Sequence, residues 1–423
     1  MRWFFLVVLL FSGLGALNAA TPDQAPIVPP PGPAFSVINV SSAQGLADAC
    51  WNLRSNQAIV IAPGTYDLDS VNFPNGVDGR LTIGRFGASP ISNIQLRGAT
   101  GDPTDVVLLG AGMLNTSVPF GIQIFTATDV TIADLSVGNV YYHAVAIQGD
   151  QGAARVRLVH SRFFDAGQQI IKASGGGADD VTIEYSEIFY HVGAIVHPEG
   201  SPPNSCYTNG IDAIGVNGWQ IHDNLIYGIK CQDQSLAGPA ILMWQGSSNS
   251  VVARNTIVDS SRGVSLGLVG SADHSGGVVR NNFIRWDSTA TYAVDVGIYV
   301  ASPGASIVHN SVLTNGAYPN AVEVRFDSTI DVEVRSNLLD GEVALRNGAS
   351  ATLTDNQFQA RQRWFSAASL GDLHLSEAGE SAIGTVVRRS EVSRDFDLEI
   401  RTLETFIGAD EPTSTVFRDG FEG

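Results

Sequence analysis

Few residues in this chain can move a proton or balance a charge, and some of them fall where a fold could gather them. Lysine occurs only twice, as Lys172 and Lys230, and His191, His197 and Glu199 lie close together downstream of the first. Removing a proton from a carbon beside a carboxylate needs a base within hydrogen-bond reach and a cation that neutralises the carboxylate. Lys172, His191 or His197 could supply the base, and Arg262 or a bound Ca²⁺ the cation. Asp212, Glu199 and Asp233 are the oxygen donors available to Ca²⁺, although their spacing matches no calcium loop. Gln148, Asp212, Trp244 and Lys230 could line a path for an extended polar polymer, with Trp244 stacking on a ring face. An Asp212 placed beside Lys172 stabilises the ammonium form, which opposes base catalysis and keeps both histidines in contention.

The elements that would position these groups come from a repeated phrase. An alternating strand is followed by Asn or Ser, one variable residue and an apolar residue, as in Val156 to Phe163, Val181 to Ile188, Gln220 to Ile226, Val251 to Ile257 and Val278 to Phe283. It continues through Ile307 to Val312, Val332 to Leu339 and Thr352 to Phe358. Aligned on the polar residue, the series runs Asp134, Ser161, Ser186, Asn224, Asn255, Asn281, Asn310, Asn337 and Asn356, with steps of 27, 25, 38, 31, 26, 29, 27 and 19. Periods of this size, with short strands and no helix in the unit, predict an all-β solenoid of roughly twelve coils. At about 4.8 Å per coil the rod is on the order of 60 Å long. Stacked Asn side chains in one corner can bond to one another along the rod and satisfy amides that burial would otherwise strand.

Alternation on a strand sets which side chains face out. Placing Ile122, Ile147, Ile171, Ile211, Met243, Val264, Val294 and Val322 inside turns Gln123, Gln148, Lys172, Asp212, Trp244, Ser265, Asp295 and Glu323 outward as one stripe. The two long steps mean that segments 191–209 and 229–238 leave the rod as loops beside that stripe. Cys206 and Cys231 would then face each other and form a disulfide, leaving Cys50 as a buried thiol.

Ser42 to Leu53 carries Leu46, Ala49, Cys50 and Leu53 on one helical face behind a Ser cap, and reads as a plug ahead of a first strand, Ala58 to Ala62. This helix, then Ile59 to Tyr66, then Asn-marked coils, resembles the pectate-lyase-like right-handed parallel β-helix proteins of bacteria over residues 35–411. Leu373 to Gly384 and Asp395 to Glu411 look like the closing segments of such proteins. The resemblance implies that fold and a polysaccharide partner, while the superfamily spans lyases, hydrolases, epimerases and binders. A polysaccharide lyase acting on a uronic-acid polymer is the leading expectation. Tyr207 to Asp212 faintly resembles the polygalacturonase phrase, but the position of its catalytic aspartate holds Asn209, and a hydrolase needs two carboxyls roughly 6.5 to 9.5 Å apart for inversion. A non-catalytic binder needs only the stripe and Trp244.

Residues 1–20 read as a secretory signal, with Arg2, an apolar run too short to span a bilayer and small residues to Ala20. Residues 21–34 read as a Pro-rich disordered linker and 412–423 as a tail, within which Val416 to Glu422 resembles a short C-terminal sorting tag or is simply acidic and frayed. The chain is therefore expected outside the cytoplasm, without a membrane span, as a monomer. A formal charge of -18 disfavours nucleic acid as a partner.

Overall fold

The computed structural model describes residues 28–74, 79–270 and 273–412; the signal segment, the first half of the linker and the 416–422 tag lie outside them. Among the described residues, three long parallel sheets run the length of the chain, of twelve, ten and ten strands. The first sheet starts at Ser36–Val40 and ends at Ala351–Thr354, the second starts at Gly64–Asp67 and the third at Leu81–Ile83. Each coil contributes one strand to each sheet in turn, and every strand pairs with its counterparts in the coils before and after. The architecture is a right-handed parallel β-helix.

Inward positions stack into one apolar column that includes Ile122, Val145, Ile171, Ile211, Ile241, Val264, Ile298 and Val322, all essentially buried. At the corner between the first and second sheets, Asn224, Asn255, Asn282, Asn310, Asn337 and Asn356 form an amide ladder with Nδ2 to Oδ1 distances of 2.9 to 3.0 Å. Ser161 and Ser186 continue it with hydroxyls. The residue before each ladder position takes a left-handed conformation: Asp134, His160, Tyr185, Asp223, Arg254, Asn281, His309, Ser336 and Asp355 have φ between 47° and 58°. A non-glycine residue there costs roughly 1 kcal/mol or more, so the coil-to-coil pairing imposes this bend.

That bend corrects two assignments. Asp134 and Asn281 occupy the left-handed position, not the ladder; Leu135 and Asn282 hold the ladder positions. In Asn281-Asn282-Phe283 either amide fits the phrase by type, but the inward residue is Ile284, so Phe283 faces out. Asn282 accepts from Asn255 and donates to Val252 O, Arg280 O and Asn310 Oδ1. Asn282→Ala is expected to cost about 3 kcal/mol by stranding these buried groups, read as a lower urea midpoint with unchanged m-value.

The plug helix is Ala43–Trp51, capped by Ser42 Oγ accepting from Gly45 N, with Leu46, Ala47 and Cys50 buried. Burial pushes the Cys50 thiol up to about 12. A strand precedes this helix: Ser36–Val40 pairs with Gln57–Ile61, so the sheet begins one strand earlier than Ala58. Part of the segment read as disordered linker is also seated. Val28 packs against Ala133 and Val159, and Pro29 O accepts from Arg97.

The C-terminal segment turns back along the second sheet and covers its outer face. Phe283, Leu313 and Leu338 are buried there under Phe365, Leu373, Leu375, Phe396 and Ile407, with Phe283 stacked on Phe396 at 3.9 Å. It is therefore a side cover, and the inward residues of the last coil, Leu345 and Leu353, stay 45% and 43% exposed.

Candidate active site

On the third sheet the paired register gives an outward row at one level: Thr82, Gln123, Ala146, Lys172, Asp212, Leu242, Ser265, Tyr299, Glu323 and Ala344. The inside and outside assignment by alternation holds for the strands, but the level slips by two residues at two of them. Gln148 pairs with Ser174 and Trp244 with Ile214, each a dipeptide beyond the Lys172–Asp212 level. At a third coil the core position belongs to Ile298, not Val294, so Tyr299 replaces Asp295 in the row. A slip of two leaves the side chain on the same face, which is why hydrophobic alternation cannot detect it.

Lys172 and Asp212 lie side by side on adjacent coils, Nζ to Oδ2 2.8 Å, at 8% and 1% exposure. Trp244 reaches back across its two-residue offset to donate Nε1–H to Asp212 Oδ1 at 2.8 Å. One nearly buried carboxylate thus fixes both an ammonium and an indole on the outer face. Tyr207 stands near Asp212; burial, with the Asp212 charge, raises its phenol above the usual range.

Sequence reading missed His143, at the head of the strand before that of Lys172. Its Nδ1 lies 2.8 Å from Gln169 O and so carries the proton, which leaves Nε2 with a free lone pair. Burial, helped by the Lys172 charge, pushes it down to about 3, so the imidazole is neutral. The signal was available, since His143 and Lys172 lie on successive strands of one sheet, but His143 carries no loop or phrase that singles it out.

The two excursions from the rod do stand together. Cys206 and Cys231 form a disulfide, Ala194 bridges to Cys231, and Gln232 Nε2 donates to Gly193 O. Other nominated groups do not converge on Lys172. His197 is fully buried: its Nδ1 accepts from Glu199 N and its Nε2–H donates to Tyr141 O, so no lone pair is left for substrate. Burial lowers its proton affinity further. His191 packs edge-on to Phe164 and Phe189 of the second sheet, and its hydrogen bond to Asp165, 2.6 Å, raises its proton affinity. Lys230 pairs with Asp259 at 2.5 Å under Tyr292, and Arg262 with Asp295 at 3.0 Å.

The three carboxylates nominated for Ca²⁺ have separate employments. Asp212 holds Lys172 and Trp244, Glu199 accepts from Tyr141 and Tyr142, and Asp233 caps Ser235. They do not gather as a cluster among the described residues, so these residues do not fit a calcium site.

The outer face is hollowed mainly N-terminal to the ion pair. A cavity of about 830 Å³ is lined by Arg80, Phe120, Tyr141 and Tyr142, and a second of about 440 Å³ by Trp51, Arg80, Thr82 and Phe86. Neither contains Lys172; Tyr142, 6.1 Å from the His143 ring, links the larger one to it. Thr82, which lines the second cavity, and Gln123, its partner on the next strand, have a buried Oγ1 and Oε1 without a hydrogen-bond partner among the described residues.

Rod, outward polar row and loop-walled face are those of a right-handed parallel β-helix. The chain's fold is similar to that of pectate lyase Pel9A, at 14% identity and TM-score 0.52 over 90% of this chain and 98% of that one. Looser likenesses are to an alginate lyase from Paenibacillus sp. str. FPU-7 (13% identity, TM-score 0.38, 77% and 99% of the two chains) and to PfbA, a surface adhesin of Streptococcus pneumoniae (15%, 0.46, 76% and 79%). No protein-family model and no curated protein matches the sequence. At such identities the likeness concerns the fold alone.

Proposed function

We propose that this is an exported carbohydrate-active protein that cleaves a uronic-acid-containing polysaccharide by β-elimination on the outer face of the third sheet. The observation that carries the reading is the Lys172–Asp212 pair together with a neutral His143 on the preceding strand, three residues before the position that pairs with Lys172, whose Nε2 is unoccupied among the described residues. Lys172, oriented by Asp212, pairs with the uronate carboxylate and offsets the charge that grows as the adjacent carbon loses its proton. His143 Nε2 accepts that proton, its basicity restored as the uronate carboxylate offsets the Lys172 charge and negative charge develops beside the ring. The carbon–oxygen bond breaks as the double bond forms, and the Tyr207 phenol protonates the departing oxygen. The unpaired Thr82 and Gln123 atoms suit sugar hydroxyls, and Tyr142 and Phe120 suit ring faces along the groove. Pel9A, whose fold this chain's is similar to, is a pectate lyase, which is in keeping with this chemistry.

A hydrolase is less well supported, because Asp212 is doubly engaged and the loop acids Glu199 and Asp233 are committed elsewhere. A binder is favoured by one observation: Trp244 is half-buried on the face, and its ring is fixed by Asp212. Purified protein scanned against pectate, alginate and glycosaminoglycans tests these readings. Ultraviolet absorbance of an unsaturated product supports elimination; new reducing ends without absorbance mean hydrolysis, and neither means binding alone. Trp244→Ala is expected to weaken retention on the responsive polymer about tenfold, the order of an aromatic contact, in affinity electrophoresis; unchanged mobility removes Trp244 from the path.

A further inference from the structure

The C-terminal cover holds chemistry that the outer face does not use. His374 lies on the strand Asp372–Leu375, with Nδ1 2.6 Å from Asp372 Oδ1 and Nε2 2.8 Å from Asp397 Oδ2. Asp410 closes the third side: one ligand atom from each of His374, Asp397 and Asp410 lies within 4.8 Å of the others. Asp410 is 3% exposed, and the one hydrogen bond that its carboxylate receives among the described residues comes from Leu375 N–H, 2.7 Å from Oδ2. A buried carboxylate normally collects several donors; this one faces a histidine and a second carboxylate with its other oxygen unengaged. Phe283 and Phe396 stand edge-on to the imidazole at 5.0 and 5.5 Å and keep the site dry on that side.

We propose that His374 Nε2, Asp397 and Asp410 bind a divalent transition-metal ion of the Zn²⁺ type, with Asp372 as the residue that orients His374. One imidazole and two carboxylates, with a fourth position open to water, suit such an ion. Asp372 accepting from Nδ1–H is the outer partner that metal-bound histidines usually have, and it fixes Nε2 as the ligand atom. Binding displaces the Nε2 proton. Ligand atoms around tetrahedral zinc are roughly 3.3 Å apart, so the 2.8 Å His374–Asp397 contact opens slightly and the Asp410 side closes. The ion would fasten three stretches, 372–375, 395–397 and 407–410, over Phe283, Leu313 and Leu338. This is independent of any activity on the third sheet.

The test uses the full-length protein, stripped with a chelator and titrated with Zn²⁺ alone by calorimetry and thermal unfolding. One ion per chain and a raised Tm are expected. Asp397→Asn and Asp410→Asn should each weaken binding at least tenfold and remove the Tm rise. Metal-free Asp410→Asn should fold at least as well as the unaltered chain, because an amide replaces a buried acid, so lost binding in it cannot be ascribed to unfolding. No Zn²⁺ uptake by the unaltered chain, or undiminished uptake by both variants, overturns the site.

Discussion

Ile171→Asp is expected to yield no soluble, folded protein. Ile171 is fully buried in the inward column, in register with Val145 on one side and Ile211 on the other. A carboxylate there meets only apolar side chains, and an unpaired buried charge costs about 5 kcal/mol or more, comparable with the whole stability of an ordinary domain. The adjacent coils cannot turn it outward, since a one-residue slip would bury Lys172 instead. Ile171→Val, which trims one methylene, should cost only about 1 kcal/mol. Circular dichroism and yield on secretion or refolding would read both; an Ile171→Asp protein with unaltered Tm would contradict the inward placement.

Lys172→Ala should lower kcat on the responsive polymer by about 10³, the scale for losing a group that stabilises developing charge, and should also lower Tm, since it leaves the nearly buried Asp212 carboxylate with the Trp244 indole alone at a cost of about 3 kcal/mol. Asp212→Asn should lose less, since Trp244 and the amide still hold the floor. Lys172→Arg separates cation from base. If the ammonium neutralises the substrate carboxylate, arginine retains a substantial part of the rate, whereas a base role would make it as inactive as alanine. His143→Ala should cost about 10² to 10⁴, and a rate unchanged by its loss would return proton transfer to Lys172. Steady-state kinetics following the ultraviolet product decides each case.

What the sequence made legible follows from periodicity. The coil repeat, the inner and outer faces, the Ser-capped plug, the paired loops and their disulfide express spacings of two, of three to four, or of about 27 residues and longer, and these hold in the structure. The Lys172–Asp212 adjacency came the same way. The failures have other causes. Alternation is blind to a two-residue slip, hence Gln148 and Trp244. A tandem Asn pair hides which amide enters the ladder. The roles of His191 and His197 depend on the direction in which a loop leaves the rod, and nothing local encodes that: one histidine joined the aromatic stack of a neighbouring sheet and the other became a fully bonded part of the loop base. His143 went unseen because its character comes from Gln169 O and its desolvation, which are properties of the assembled coils.

Because the cover lies along the side, the two ends of the rod are unequal. The helix closes one, while at the other, among the described residues, Leu345 and Leu353 leave an open seam and the last strands lack a second neighbour. In a structure held by nearest-neighbour stacking, loosening starts where a coil has one neighbour instead of two. The molecule therefore has a grain: it should unzip from residues 342–354 toward the plug, and the Lys172 coil, many turns upstream, should be among the last to feel it.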